Sequence, residues 1–258
     1  MTPSAPSRPQ FGPCLRDWRQ RRRYSQLALS LEANVSARHI SFLEGGRARP
    51  SRAMVQTLAE CLDIPFEARN TLLAAAGFMP VYARTPLEAG QLEPIRQALT
   101  RMMHAHTPAP ALILDSRWTV LDANLTGALL LGADWQTDNC LIDRLVNQPD
   151  LRAPILNWPE VAAVMATRLR AESRQAGGDT GLDALAARLE PFAANPADVD
   201  PDQPILTLRY ATPLGELTLF TLVAELSSAQ DLTLRDLRLE IFLPADEDSR
   251  AILDQLVG

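Results

Sequence analysis

Residues 25–52 read SQLALSLEANVSARHISFLEGGRARPSR, and they constrain the fold of this chain more than any other segment. Ser25 and Ser36 stand where helix N-caps belong, because a serine hydroxyl accepts a hydrogen bond from an amide of the first helical turn. Asn34 tolerates the left-handed backbone of a tight turn, and Gly45-Gly46 suits the end of a helix. The segment therefore predicts two short helices joined by a tight turn, which is the helix-turn-helix arrangement.

The second of these helices, Ala37–Glu44, carries the residues expected to read DNA, since this helix of the motif enters the major groove. Val35, Ile40 and Leu43 fall on one side of it and are expected to be buried. Arg38 could bond guanine O6 and N7 in a bidentate manner, worth about 1–3 kcal/mol of discrimination between base pairs. Ala37 and Phe42 could make apolar contacts with thymine methyl groups.

Residues on either side of that helix suit the phosphate backbone. The Gln26 side chain and the amides beside it could position a phosphate, and His39 either reaches a phosphate or is simply solvated. In the first helix, Leu27, Ala28 and Leu31 recur at helical spacing and are expected to face the core. The predicted DNA-contacting residues are Gln26, Ser36, Ala37, Arg38, His39, Ser41, Phe42, Arg47, Arg49 and Arg52.

Charge is divided unevenly along the chain, and its basic residues are all arginine. Residues 1–84 contain 12 Arg and 6 acidic residues, a net charge of +6, whereas residues 85–258 contain 13 Arg and 25 acidic residues, a net charge of −12. A basic segment in an acidic chain indicates a polyanionic partner for that segment alone. An arginine on a helical bundle is usually only solvated, but here spacing, caps and charge agree, which favours double-stranded DNA.

The chain from Leu15-Arg16 to Gly77 resembles the helix-turn-helix of the xenobiotic-response-element (XRE) family, which includes the phage repressors. The resemblance implies a lambda-repressor-like bundle of five helices that binds DNA. A homodimer would place two recognition helices about 34–36 Å apart, on the two half-sites of a palindromic operator. The matching elements are Ser25-Gln26, Leu27-Ala28, Val35-Ser36, Ile40-Ser41, Leu43-Glu44, Gly46-Arg47, Pro50-Ser51, Leu58-Ala59-Glu60 and Leu72-Leu73-Ala74-Ala75-Ala76-Gly77.

Composition excludes several classes of protein. No stretch approaches the roughly 20 apolar residues that span a bilayer, and the first residues have no apolar run of signal-peptide type, so we expect a soluble, cytoplasmic protein with no membrane partner. Cys14, Cys61 and Cys140 are far apart, which argues against a disulfide framework or a zinc site. His104 and His106 have i, i+2 spacing and do not share a helix face, so no metal is expected.

The 258 residues suffice for two domains of ordinary size. We predict a disordered tail (1–12), a helix-turn-helix domain (13–78), a linker with a connecting helix (79–108) and a ligand-binding domain (109–258). The first helix is expected to begin at about Pro13. Ser51 should cap a fourth helix, and Gly77 should end a fifth.

The last domain is expected to combine a sheet with helices, which makes the whole chain an α+β multidomain protein. Along residues 218–223, two sets of side chains alternate, and this two-residue period is that of a strand. Two strands, then helices, then three strands predict a five-stranded antiparallel sheet with helices on one side, the architecture of PAS-like sensors. The predicted strands are Ala111–Leu114, Trp118–Leu121, Ile205–Tyr210, Gly215–Glu225 and Leu234–Phe242.

Residues 109–257 resemble the MmyB-like ligand-binding domain, a PAS-like module found C-terminal to XRE helix-turn-helix domains. The resemblance implies an apolar small ligand of fatty-acid type between sheet and helices, and no other cofactor. The matching stretches are Pro110–Asp115, Arg117-Trp118, Ala123-Asn124, Asn157–Ala162, Arg168–Glu172, Leu219–Thr221, Asp231–Leu234 and Leu239–Asp246, with Pro80–Tyr82 and Thr85–Leu87 in the linker.

Residues of the sheet and the helices could line such a space, although the same apolar residues would also make an ordinary core. Arg168 or Arg209 could pair with a carboxylate head group if it faced the pocket. The predicted ligand-binding residues are Leu112, Leu114, Trp118, Asn124, Asn157, Trp158, Arg168, Leu208, Arg209, Phe220, Leu222 and Phe242, with Leu206 as a further lining residue.

No catalytic constellation is evident, because the three histidines lie in the predicted recognition helix and the linker, and no phosphate-binding glycine motif occurs. The sequence therefore favours a ligand-responsive, DNA-binding transcriptional regulator rather than an enzyme. Two alternatives stay open. One is a small-molecule or lipid carrier, or an enzyme, with a non-functional helix-turn-helix, and the other is an adaptor whose helical bundle binds another protein.

Overall fold

The computed structural model describes residues 10–194, 205 and 207–257. Most of the predicted N-terminal tail and the predicted lining residue Leu206 lie outside the described residues. The chain forms two compact units, Met1–Ala83 with Arg174–Gly178, and Arg84–Ser173 with Asp179–Gly258. Within the described ranges, no helix is both long enough and apolar enough to cross a membrane.

Five helices form the first unit, as the sequence predicts. The hydroxyls of Ser25, Ser36 and Ser51 each accept a hydrogen bond from the amide three residues further on, which confirms the predicted N-caps. Asn34 has a φ of 52°, so the turn contains the predicted left-handed residue. The first helix begins at Phe11, earlier than predicted, because the Phe11 side chain is buried in the core. The helices are α1 (Phe11–Arg21), α2 (Gln26–Glu32), α3 (Ala37–Glu44), α4 (Arg52–Cys61) and α5 (Phe66–Ala75).

The prediction was wrong about which face of α2 is buried. Leu27 and Leu31 are 61% and 74% exposed and Ala28 is exposed as well, whereas Leu29 and Ala33 are buried. Both pairs have the i, i+4 spacing of one helix face, but two residues separate them, which is about 200° around a helix. Spacing within seven residues therefore suits either face, and only packing against the other helices selects Leu29.

The second unit is built on a five-stranded antiparallel sheet, as predicted. Its strands are β1 (Ala111–Leu114), β2 (Val120–Ala123), β3 (Thr207–Thr212), β4 (Gly215–Glu225) and β5 (Arg238–Pro244). Its helices are α6 (Glu93–Ala105), α7 (Leu125–Leu131), α8 (Leu141–Asn147), α9 (Pro149–Arg152), α10 (Trp158–Ala176), α11 (Thr180–Leu189), α12 (Leu232–Asp236) and α13 (Glu247–Val257). The sequence analysis did not predict α13.

The strand order is β2-β1-β5-β4-β3, so the last strand in sequence lies at the centre of the sheet. Leu112 pairs with Glu240, and Thr221 pairs with Phe242. Residues directly opposite each other in an antiparallel pair project to the same face, and their neighbours in the chain project to the other face. Register therefore decides which side chains of β1, β4 and β5 share a face.

Helices cover both faces of the sheet, whereas the sequence predicted helices on one side. Helix α6, which the prediction placed in a linker, packs the fully buried Met103 with Ile113 and Leu239. Helices α8, α10 and α11 pack against the face that carries Leu112 and Leu114. The apolar face of α6 is buried only through this packing, so α6 belongs to the second unit.

Three strands begin later than predicted, and one of them is β3, which begins at Thr207 and not at Ile205. Trp118 has a φ of 62° and belongs to a turn, so β2 begins at Val120. The side chain of Asp231 accepts a hydrogen bond from the amide of Thr233 and caps α12, so β5 begins only at Arg238. Leu234 in α12 is nevertheless buried, which explains why the apolar pattern there suggested a strand.

Candidate nucleic-acid interface and ligand cavity

Helix α3 has one side in the core and one side that is partly open to solvent. Ile40 and Leu43 have no exposed surface, so they fix the orientation of the helix in the bundle. Its other side leaves the predicted base-reading side chains accessible to solvent. That side carries Arg38 and Ser41, which are exposed, and Ala37, His39 and Phe42, which are half-buried.

Phe42 contacts two guanidinium groups. The Cζ atom of Arg38 lies 5.1 Å from the centroid of the Phe42 ring, and that of Arg47 lies 5.9 Å from it. Such cation–π contacts contribute about 0.5–1 kcal/mol at exposed sites, and they hold the guanidinium without engaging its N–H groups. The ring therefore supports two arginines that can still donate to bases or phosphates.

The other predicted contact residues flank α3 in the sequence. Ser36, Arg49 and Arg52 are all exposed. The Oγ atom of Ser36 accepts the amide of His39 at 3.1 Å, so the hydroxyl hydrogen is the part that can serve a phosphate. Cζ of Arg52 lies 5.5 Å from the ring of Phe78, in another cation–π contact.

The side chain of Gln26 contacts the protein itself, and the phosphate contact predicted for it stays a prediction. Its Nε2 atom donates to Oε2 of Glu44 at 2.8 Å. Glu44 also accepts from Nε and Nη2 of Arg19, at 2.6 and 3.0 Å, and from Nε of Arg16 at 3.4 Å. Gln26 therefore joins α2 to the last residue of α3.

Glu44 and Arg19 were missed by sequence reasoning, although they fix α3 to α1. Burial acts to raise the pKa of the Glu44 carboxyl, but hydrogen bonds from Arg19, Gln26 and Arg16 outweigh burial and hold this pKa below its usual value. Hydrogen bonding to Glu44 likewise raises the pKa of Arg19. The one signal in the sequence was a glutamate in helical register with Ile40, a position that faces the core.

The second unit contains a cavity of about 310 Å³ on the face of the sheet that carries Leu112. Its wall is mostly aliphatic. Burial raises the pKa of the Tyr210 phenol above its usual value. Five predicted ligand-binding residues lie along the cavity: Leu112, Trp118, Arg168, Leu208 and Phe242. Further lining residues are Leu130, Leu131, Leu141, Leu145, Leu151, Ile155, Val161, Val164, Met165, Ile205, Tyr210 and Thr221.

Three predicted residues on the strands do not line the cavity. Phe220 and Leu222 project to the other face of the sheet, because they alternate with Thr221, which does line it. Leu222 is 48% exposed there. Arg209 is exposed and forms an ion pair with Glu216 at 2.5 Å instead of facing the cavity.

Four further predicted ligand residues have structural roles instead. Leu114 is fully buried in the core, and Trp158 packs near Phe192 with 6.0 Å between ring centroids. Asn124 Oδ1 accepts the amides of Ala111 and Gly127 at 3.0 and 2.9 Å, so this side chain joins β1 to the start of α7. Asn157 Nδ2 donates to the carbonyl of Thr207 at 2.7 Å, and its Oδ1 accepts the amide of Arg209 at 3.0 Å.

One end of the cavity is polar, and we call Trp118, Arg168, Glu172, Arg238 and Glu240 the polar end. Glu172 accepts hydrogen bonds from Arg168 Nε (3.0 Å), Arg238 Nη1 (2.9 Å) and Trp118 Nε1 (2.9 Å). Arg168 Nη1 lies 2.7 Å from Glu240 Oε1. Sequence reasoning found only Trp118 and Arg168; the available signal was the alternation of Arg238 and Glu240 with buried leucine and isoleucine along β5.

Metal binding has no support in the part of the chain that the structure describes. Across these residues, no group of three or more His, Cys, Asp or Glu side chains is placed to hold a metal ion. Cys14, Cys61 and Cys140 are free cysteines, and burial raises the pKa of each thiol.

Comparison with known protein families gives two matches. Residues 15–68 match the helix-turn-helix family, and residues 95–256, more than half of the chain, match the MmyB-like transcription regulator ligand binding domain. The first match includes the whole of α3, and the second includes α6 from residue 95 onward, the sheet and the cavity. No curated protein matches the chain.

Proposed function

The chain belongs to the family of the MmyB-like transcription regulator ligand binding domain, and from that premise we propose a regulator that binds a palindromic operator as a homodimer and responds to an aliphatic ligand. The two matched domains make it a DNA-binding transcription regulator with a ligand-sensing domain. Operator symmetry, the dimer, the chemistry of the effector and a cytoplasmic location are the parts that we propose.

The accessible side of α3 carries the DNA-binding part of this proposal. Arg38 lies in the first turn of the helix, where side chains of a recognition helix meet base edges, and its guanidinium fits the two acceptors of guanine. Arg47, Arg49 and Arg52 follow α3 and suit phosphates, which gives affinity without sequence preference. The +6 charge of residues 1–84 favours the same partner.

The short length of α3 supports the proposed dimer. An α3 of eight residues presents only a few side chains to one stretch of major groove. Helix-turn-helix proteins gain specificity by placing two such helices one helical turn apart on a two-fold symmetric site. We therefore expect the operator to be palindromic, with half-sites about 34–36 Å apart.

The cavity supports the ligand-binding part of the proposal. Its aliphatic wall favours an unbranched hydrocarbon chain of fatty-acid type, and each buried methylene contributes about 0.8 kcal/mol. Val164 and Ile205 line the cavity and are still 42% and 47% exposed, so they mark its entrance. The ligand can shift operator binding only by the difference between its affinities for the DNA-binding and the non-binding conformers.

Fluorescence anisotropy tests the proposal as a whole. Full-length protein would first select duplexes from a random pool, and binding to the selected duplex would then be titrated with aliphatic alcohols and acids of increasing chain length. We expect operator affinity to change with ligand, and ligand affinity to rise with each added methylene until the cavity is filled. Native mass spectrometry of the same sample reports the number of chains and any co-purified ligand.

Val164→Trp would place a large side chain at the cavity entrance and should abolish the ligand response while leaving ligand-free operator binding intact. Leu125→Trp is the matched control, because Leu125 is 56% exposed on α7 and does not line the cavity. A chain that selects no duplex, or a ligand response that Val164→Trp leaves unchanged, would contradict the proposal.

A further inference from the structure

Charged groups are concentrated at one place in the cavity wall. Among the described lining residues, the charged ones are Arg168 and Glu240. Arg238 adjoins them, because Arg238 and Glu240 are two residues apart along β5 and project to the same face of the sheet. The Cζ atoms of Arg168 and Arg238 lie 4.7 and 4.4 Å from the ring of Trp118. A chain-like ligand in this cavity therefore meets charge only at the polar end.

The polar end is neutral as a whole, because two arginines face two glutamates. Glu172 Oε1 accepts from both Arg168 and Arg238, at 3.0 and 2.9 Å. Glu240 Oε1 lies 2.7 Å from Arg168 Nη1 and 3.6 Å from Arg238 Nε. Each arginine is thus already compensated by carboxylates of the protein itself. No net positive charge remains for a ligand anion.

Hydrogen bonding at the polar end is incomplete within the described part of the chain. Arg238 Nε and Nη2 are buried without an acceptor, and Glu240 Oε1 has the ion-pair distance to Arg168 but no hydrogen bond of suitable direction. Arg238 is only 6% exposed and Glu240 only 3%. Buried polar groups of this kind are costly to leave unmatched. Glu240 lines the cavity and Arg238 does not, so Glu240 is the unmatched group that a ligand in the cavity can meet.

Building on the ligand-binding role proposed above, we infer that the polar end recognises a neutral terminal group that both donates and accepts a hydrogen bond. A hydroxyl or a primary amide at the end of an aliphatic chain fits this requirement. Its hydrogen is donated to Glu240, and its oxygen accepts from an N–H of Arg168, the arginine that lines the cavity. The rest of the chain lies along the aliphatic wall.

A carboxylate fits the polar end less well. It has no hydrogen for Glu240, and it brings a third negative charge to a site where the two arginines already face two glutamates. A methyl ester adds no charge but also lacks the donor, so it leaves Glu240 unmatched. The distinction between alcohol, acid and ester is therefore a property of Glu240, and the aliphatic wall is the same for all three.

Calorimetric titration of the full chain at pH 7.5 tests this inference with four compounds that share an unbranched ten-carbon chain: 1-decanol, decanamide, decanoate and methyl decanoate. We expect the alcohol and the amide to bind at least about tenfold more tightly than the acid and the ester, since one unmatched buried group costs that much or more. Equal or tighter binding of decanoate to the wild-type chain would overturn the inference and leave the ligand-binding role standing. Binding of none of the four would overturn both.

Glu240→Gln makes the polar end positive by one charge, so decanoate should gain about tenfold relative to 1-decanol. Glu216→Gln is the matched control, because it changes the net charge equally at an exposed position on the other face of the sheet, and the preference should stay as in wild type. Circular dichroism melting shows whether each variant folds. The titration of the wild-type chain tests the inference even if neither variant folds. Operator binding, measured separately by anisotropy, reports on the proposed function alone.

Discussion

The Nε atom of Arg19 donates to Oε1 of Glu44 at 2.6 Å, which ties α1 to the last residue of the recognition helix α3. Glu44 is 3% exposed and Arg19 is 9% exposed, so the pair lies inside the bundle. Gln26 in α2 donates to the same carboxylate. One buried carboxylate thus joins three helices, and it fixes the orientation of α3 in the bundle.

Arg19→Met should lower the free energy of unfolding of the first unit by about 3 kcal/mol, because it leaves a buried carboxylate without its main partner. Hydrogen exchange of amides in α1–α5 measures this unit by itself. Arg21→Met is the control, since Arg21 lies in the same helix in a surface ion pair with Asp17 and should cost at most about 1 kcal/mol. Equal losses in the two variants would contradict the role given to Glu44.

Acid should weaken the first unit through Glu44. Its pKa is lowered in the folded chain, so the ionised carboxylate stabilises the fold at pH values above the unfolded pKa of about 4.3. That stabilisation is lost as the pH falls through the lower folded pKa. The difference in unfolding free energy between wild type and Glu44→Gln, measured by hydrogen exchange, should be constant near neutrality and shrink below about pH 4. A difference that stays constant down to pH 3 would contradict this.

Arg38 and Arg47 contact the same Phe42 ring but should differ in their effect on DNA binding. Arg38→Ala should relax the sequence preference at one base pair by about 1–3 kcal/mol. Arg47→Ala should weaken binding to all sequences alike and reduce the salt slope by about 1. Anisotropy titrations at several salt concentrations, on the selected duplex and a scrambled one, measure both effects. Arg117→Ala, an exposed change in the second unit, is the control, and identical losses for Arg38 and Arg47 would undo these roles.

Arg144 should be needed for the stability of the second unit. It is 1% exposed, and its guanidinium donates to the carbonyls of Leu131, Asp134 and Asp138 at 2.7, 3.0 and 3.0 Å. Arg144→Met leaves these carbonyls without a donor, at about 1–3 kcal/mol for each that stays buried. Hydrogen exchange of residues 131–145 should rise, and ligand affinity should fall because this segment lines part of the cavity.

The matched control for that experiment is Arg170→Met. Arg170 is exposed on α10 and forms a surface ion pair with Glu190, so its loss should cost at most about 1 kcal/mol. Unchanged exchange of residues 131–145 in Arg144→Met would show that Arg144 does not hold this segment.

Local signals in the sequence predicted the caps of α2 and α3 and the turn between these helices well. The caps at Ser25 and Ser36 and the left-handed Asn34 depend on residues within one turn of each other, so short-range chemistry determines them. Gln26 shows the limit of this approach. Its partner Glu44 is 18 residues away, and only the packing of α2 against α3 brings the two side chains together.

The ligand cavity shows the same limit more strongly. Strand alternation predicted that Phe220 and Thr221 project to opposite faces, but it did not say which face would border the cavity, because a shift of one residue exchanges the two faces. The pairing of Thr221 with Phe242 places Thr221 on the face that borders the cavity. In the same way, Arg238 and Glu240 lie beside the cavity only because β5 pairs with β1 on one side and with β4 on the other.

The sequence by itself determined the helix caps, the five strands of the sheet and the division of charge between the two parts of the chain, since each depends on neighbouring residues or on composition. Tertiary structure alone decided that Leu29 and not Leu27 is buried, that α6 covers the sheet, and that Arg168, Arg238 and Glu240 meet at one end of a cavity. These outcomes depend on contacts between residues far apart in the chain, and local periodicity carries no information about such contacts.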